Sequence, residues 1–223
     1  MSVSEEHAVQ PSATTAPPSG IADPAPLGLA AFALTTFLLS AANANWMTHA
    51  TSLAFLGYAF AYGGLAQLLA GMWEFRNRNV FGAVAFSTYG AFWIGLGLWV
   101  RLVVVPQLAA IRPATAAATV TAINHDRGWI LLAFFIFNTY MLILSTQVNL
   151  AVFGVFLTLG LTEIILAIGS FLQGSATTNT GWIIFGGYVG LVTALVAWYT
   201  SFALVSRGMA GKLKFPVGEP LIK

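Results

Sequence analysis

Six apolar runs, at about residues 24–43, 51–73, 80–104, 128–147, 149–172 and 181–206, leave this chain few ways to fold. Each is close to the ~20 residues that an α-helix rising ~1.5 Å per residue needs to cross a ~30 Å hydrocarbon core. The pattern predicts an all-α integral membrane protein, a bundle of six transmembrane helices set in a lipid bilayer. Charged side chains make up only 7% of the chain, against about 25% in a soluble domain. With 58% hydrophobic residues and a mean hydropathy of +0.81, a water-soluble globule would expose large apolar patches. A soluble enzyme is therefore excluded, and a net charge of +2 gives no reason to expect a nucleic-acid partner.

The breaks between the runs carry polar punctuation. Arg76-Asn77-Arg78-Asn79 separates the second from the third, residues 106–127 with Pro113 the third from the fourth, and residues 173–180 the fifth from the sixth. Thr146-Gln147-Val148-Asn149 is so short that the fourth and fifth spans must form a tight antiparallel hairpin. Residues 1–22, rich in Ser, Thr, Pro and Ala without a basic n-region, read as a disordered tail and not as a signal peptide. Residues 23–206 form the pore domain and 207–223 a C-terminal tail. With the N-terminus inside, Arg76, Arg78, Arg207, Lys212, Lys214 and Lys223 are cytoplasmic, whereas Arg101, Arg112 and Arg127 lie outside. This bias predicts a multi-pass protein of the cell membrane with both termini cytoplasmic.

Several chemistries lack their residues. There is no Cys, hence no thiolate metal site and no cysteine nucleophile. No Lys lies in a span to carry a retinal Schiff base, and His7, His49 and His125 fall in the tail or at loop edges, away from any shared layer that could ligate haem. No phosphate-cradling loop or Ser/His/Asp arrangement is present. These features favour a channel or secondary transporter, without cofactor or metal, over an enzyme.

Polar side chains within the spans should turn away from lipid. Phe32, Thr36 and Asn43 share a face of the first span, flanked by Thr35 and Ser40. Gly63, Gly64, Gln67, Gly71 and Glu74 form a stripe on the second. The third carries Ser87, Thr88 and Tyr89, and the fourth Asn138, Thr139 and Ser145. Neutral stripes on several helices suit a small solute with at most one charge, although each hydroxyl could equally bond a neighbouring helix. Small-residue ridges, Gly186-Gly190-Ala194, Ala91-Gly95 and Gly57-Ala61, permit close helix packing within a protomer or between protomers.

Residues 23–29, Asp-Pro-Ala-Pro-Leu-Gly-Leu, resemble the Asn-Pro-Ala-Pro-Leu-Gly-Leu motif that opens the acetate transporter family of the succinate-acetate permease type. The resemblance strengthens through Gly63-Gly64-Leu65-Ala66-Gln67, Ala70-Gly71-Met72-Trp73-Glu74-Phe75, Phe81-Gly82 and Tyr89-Gly90-Ala91-Phe92-Trp93, and extends to Phe215-Pro216. It implies six helices and one pore per protomer, assembled as a homohexamer. It also implies passage of acetate, and in some members succinate, by proton symport or as an anion channel. The family constriction of Phe, Tyr and Leu falls on Phe32, Tyr89 and Leu159. Three such side chains on different helices can close a bore by dewetting while the Tyr hydroxyl offers one hydrogen bond to a carboxylate. Thr35, Thr36, Gln67 and Asn138 are the expected substrate pathway, and no Arg or Lys is expected deep enough to trap the anion.

This chain departs from the family at Asp23 for Asn, Arg78 for Gly, Val80 for Thr, and at Glu163, where bacterial relatives carry an apolar or aromatic residue. Leu159 and Glu163 are four apart and share a helix face, which places an acid one turn from the proposed gate as a pH-sensing group. The alternative is a neutral Glu163 bonded between helices or facing another protomer. Two further functions stay open: ammonium or ammonia movement, for which Asp23, Glu74 and Glu163 could shape a vestibule, and a non-transporting membrane scaffold.

Overall fold

The computed structural model describes residues 20–47 and 53–222. Residues 1–19, which include His7 and most of the expected tail, lie outside the described residues, as does His49. Six helices are long and apolar enough to cross a membrane: α1 (Ala25–Asn43), α2 (Phe55–Arg76), α3 (Val80–Ala109), α4 (Pro113–Ser145), α5 (Leu150–Leu172) and α6 (Gly181–Gly208). No strand occurs among the described residues.

Local chemistry sets where these helices begin. Asp23 Oδ1 accepts a hydrogen bond from the Ala25 N–H at 2.9 Å, so the acid that replaces the family Asn still serves the helix start. Asn79 Oδ1 accepts from Gly82 N–H at 3.1 Å and Asn149 Oδ1 from Val152 N–H at 2.9 Å, capping α3 and α5. Residues 146–149 form the tight hairpin the sequence predicts.

The third break is shorter than expected. Instead of a loop across 106–127, α3 runs on to Ala109 and α4 starts at Pro113. Pro113 occupies the first turn, where its missing N–H is no loss, and the Ala-rich stretch that follows has high helix propensity. The 30 α-helical residues of α4 span about 45 Å at 1.5 Å per residue, longer than a ~30 Å hydrocarbon core. Its first turns therefore extend the helix beyond the apolar run, and His125, Asp126 and Arg127 are helical.

The helices close a ring in chain order, with broad interfaces between α2 and α3 and between α1 and α6, and the thinnest between α3 and α4. At Gly187 of α6 a Cβ would stand 2.5 Å from the Ala44 backbone nitrogen, and at Gly90 of α3 it would stand 2.7 Å from the Leu68 nitrogen. Both pairs of backbones approach as only glycine allows. The ridge Gly186-Gly190-Ala194 packs inside the protomer, against Leu166, Ser40 and Thr162. The other two ridges face outward: Gly57 and Gly95 have no neighbour within 4 Å, and Ala61 and Ala91 are exposed. The thin α3–α4 seam is filled by rings, with Phe92 and Phe134 centroids 4.6 Å apart and Tyr89 and Phe137 5.4 Å apart.

After α6 the chain folds back as a strap over the α4–α5 hairpin. Ala151 N–H donates to Val217 C=O at 2.8 Å, Leu221 N–H to Thr146 C=O at 2.8 Å, and Tyr199 O–H to Pro216 C=O at 2.7 Å. Lys214 Nζ donates to the Ser206, Arg207 and Met209 carbonyls that α6 leaves open at its end.

Candidate functional site: two cavities and the septum between them

Two cavities open from opposite ends of the ring. The one on the face of the described termini has a volume of about 170 Å³, has Asp23, Asn79 and Asn149 among its lining residues, and reaches Phe32, Gln67, Tyr89 and Leu159. At about 30 Å³ per water it holds several waters or one short carboxylate. The opposite vestibule has a volume of about 550 Å³ and touches Leu39, Leu96 and Leu166. These three leucines lie seven residues beyond Phe32, Tyr89 and Leu159 on the same three helices. Seven residues are two turns on one face, so a septum about 10 Å thick separates the cavities.

Phe32, Tyr89 and Leu159 belong to one buried cluster, and the Phe32 and Tyr89 rings meet edge to face at 5.8 Å. The three sequence-predicted constriction residues are thus brought together at the inner floor of one cavity. Gln67 joins them: it is buried, lines the same cavity, and its Oε1 has no hydrogen-bond partner among the described residues. It follows directly on a π-helical segment, Ala61–Ala66, that widens α2 and shifts the register of its polar stripe.

Behind the floor lies a hydrogen-bonded chain. Asn138 Nδ2 donates to the Phe156 carbonyl at 2.9 Å, leaving Asn138 Oδ1 to accept from the Tyr89 hydroxyl at 3.2 Å. The same hydroxyl lies 3.2 Å from Glu163 Oε1. One phenolic proton cannot serve two acceptors. The chain closes when Glu163 carries a proton and donates to Tyr89, which donates in turn to Asn138. Glu163 is 3% exposed and, among the described residues, its Oε2 has no partner, nor has the buried Thr36 Oγ1 in the septum. Buried polar atoms are rarely left so in a packed interior. Of Gln67, Thr36 and Glu163, the first lines the smaller cavity, whereas Thr36 and Glu163 line neither and lie between the levels of the two cavities on α1 and α5.

Thr35 behaves differently from its neighbour. Neither threonine lines a cavity, but Thr35 donates to the Ala31 carbonyl at 3.1 Å and packs where a Cβ on Gly63 would come within 2.4 Å of its Oγ1. Asn138 lines neither cavity itself and reaches the floor through Tyr89. Sequence reasoning missed Arg127, which lines the larger vestibule as part of α4. The helix-favouring alanines after Pro113, with no Gly or further Pro before Gly128, were the signal for it. No group of His, Cys, Asp and Glu able to hold a metal occurs among the described residues.

These features define a polytopic membrane protein with a narrow apolar septum between two cavities, floored by an aromatic-aliphatic triad. A sequence model of the GPR1/FUN34/yaaH family matches residues 6–218, and the chain belongs to that family. It is 43% identical over 208 residues to acetate permease A of Emericella nidulans, covering 89% of this chain and 66% of that one. It is 31% identical over 199 residues to the succinate-acetate/proton symporter SatP of Escherichia coli, covering 89% of this chain and 96% of that one. Among solved structures it resembles that of the bacterial acetate channel SatP, with a TM-score of 0.73 and 29% identity over 89% of this chain and 99% of that one. The chain spans just under two thirds of the length of the fungal permease.

Proposed function

We propose that this protein passes acetate and related short carboxylates, succinate among them, through a path within each protomer. The observation that carries the reading is the alignment of the two cavities across a septum whose floor is Phe32, Tyr89 and Leu159. Rings and a leucine at that level exclude water when the path is empty, and the Tyr89 hydroxyl offers the one polar contact at the narrowest point. Gln67 and Thr36 stand ready to replace part of a carboxylate's hydration shell on either side. The names of its relatives, an acetate permease, a succinate-acetate/proton symporter and an acetate channel, support the same substrate class.

Protons enter the proposal through Glu163, whose hydrogen bond to Tyr89 couples a titratable group to the floor of the path. Glycines and alanines on the outer faces of α2 and α3 support a homo-oligomer, with six copies as the resemblance implies. Both termini are placed in the cytoplasm and the protein in the cell membrane. Flux into proteoliposomes tests the reading: labelled acetate should accumulate down its gradient beyond protein-free vesicles. Ammonium-driven alkalinisation in place of acetate uptake, or no flux of either, overturns it.

A further inference from the structure

The larger vestibule contains a cation, Arg127, with no anionic partner among the described residues. Arg127 Nε donates to Ser170 Oγ at 2.9 Å and an Nη to Gln173 Oε1 at 3.4 Å, and both acceptors are neutral. They are themselves held: Ser170 Oγ donates to the Leu166 carbonyl at 2.6 Å, and Gln173 Nε2 to the Ala176 carbonyl at 3.1 Å. Asn124, one turn before Arg127, ties down the same loop through the Gly174 and Ala176 carbonyls. The guanidinium is thus anchored by two of its five N–H groups, which leaves three to donate elsewhere.

Its surroundings make those three donors valuable. Leu166, Ile130, Leu131 and Ile183 line the vestibule with it, so the charge sits among apolar walls where a Coulomb attraction is less screened than in bulk water. The acid next to it in sequence, Asp126, is exposed, and His125 is exposed with its ring against Phe171. A buried or half-buried arginine normally finds a carboxylate or phosphate. Among the described residues none is supplied, and Arg127 lines a cavity of about 550 Å³ that reaches the septum. Asn138 is eleven residues further along α4 and bonds to Tyr89, so Arg127 stands about 16 Å along the helix from the constriction.

We propose that Arg127, oriented by Ser170 and Gln173, forms a carboxylate-binding site in this vestibule that captures the anion before it reaches the septum. The proposal deepens the transport reading and rests on it for the choice of anion. A planar fork of free N–H donors matches the two oxygens of a carboxylate, whereas Lys would offer only a point charge. Because the site lies two turns and more from the floor residues, it sets capture, while Phe32, Tyr89 and Leu159 set passage.

The test uses the full-length protein in nanodiscs, titrated with sodium acetate against matched sodium chloride and followed by tryptophan fluorescence, since Trp99 lines the same vestibule. Wild type should saturate with acetate beyond the chloride control, and Arg127→Gln should raise the half-saturating concentration at least tenfold. Arg127→Lys should fall between the two, and it decides the matter if Arg127→Gln does not fold. Ser170→Ala, which keeps the charge and removes one anchor, should weaken binding about threefold. An unchanged half-saturation in the Arg127 variants overturns the proposal, as does a wild-type response to acetate no greater than to chloride. Flux separates this from the transport reading. Arg127-dependent binding without acetate flux leaves the site and removes the transport reading; acetate flux with wild-type low-concentration uptake in Arg127→Gln does the reverse.

Discussion

Replacing Glu163 by Gln should flatten the pH profile of acetate flux. The structure sets both the sign and the size of the effect. Glu163 Oε1 lies 3.2 Å from the Tyr89 oxygen, so a carboxylate bound to that hydroxyl would sit on the order of 5 Å from the acid. Two like charges at that separation repel by about 3 kcal/mol at an effective dielectric of 20, which corresponds to ~10²-fold in occupancy. When Glu163 is ionised the floor of the path rejects the anion; when it is protonated the repulsion is gone, and with Glu163 donating to the Tyr89 oxygen the single Tyr89 proton can turn from Asn138 to the carboxylate. Flux should therefore rise as pH falls through the titration of this group and decline above it. Among the described residues no second charged side chain bonds into the network: Asn138 on α4 is neutral, Thr162 and Thr193 bond each other at 3.0 Å, and the other titratable group is Tyr89 itself. Gln keeps the size and can donate N–H to Tyr89, but it cannot ionise. The assay is initial uptake of labelled acetate in proteoliposomes from pH 5 to pH 8, at constant acetate concentration and corrected for protein-free vesicles. A Glu163→Gln profile as steep as wild type would refute the reasoning, because the pH dependence would then belong to the substrate or to another group.

Other perturbations have equally definite outcomes. Alanine at Phe32, Tyr89 or Leu159 should raise the flux of lactate and succinate relative to acetate in the same assay, because removing a bulky side chain from the floor opens volume for a longer solute. Core truncations of this kind cost about 2–5 kcal/mol in soluble proteins, so folded yield should be checked by gel filtration. Arg78 holds φ at +59°, a region costing non-glycine residues about 1–2 kcal/mol. Arg78→Gly, the family residue, should raise the thermal midpoint in detergent, and a lowered midpoint would show that the Arg78 side chain contributes more than the strain removes. Leucine at Gly57 or Gly95 should leave each protomer folded, since both are exposed and a Cβ added at either would meet no other part of the described protomer within 4 Å. The change should weaken the oligomer, read as a smaller assembly by native mass measurement.

The sequence made the six spans legible because apolar composition reports the part of a helix that crosses lipid, and it located the triad because Phe32 and Tyr89 sit inside recognisable motifs. It was silent on what happens outside lipid. In residues 113–127 helix formation rests on alanine propensity and a proline at the first turn, neither of which leaves an apolar periodicity, so Arg127 read as a loop residue. Glu163 was placed one turn from Leu159 by counting alone, and the Tyr89 hydroxyl meets it there. The ridges could not be sorted by sequence, because a glycine pressed on a backbone, as at Gly187, and a glycine facing outward, as at Gly57, occur in the same pattern. Thr35 and Thr36 show the same limit: adjacent residues of one type, of which one satisfies its own helix and the other is left unpartnered in the septum.

The broad α1–α6 interface has a consequence for how the molecule is made. Of the six described helices, the one synthesised first finds its largest partner in the one synthesised last, so while the others are made α1 must wait with Ser40 and its small-residue face turned to lipid or to a temporary companion. The ring cannot shut until α6 has left the ribosome, and only afterwards can the strap that follows fasten the α4–α5 hairpin. Assembly of this chain is therefore bound to be a late event, and a protein cut short before α6 would be an open arc with no enclosed path.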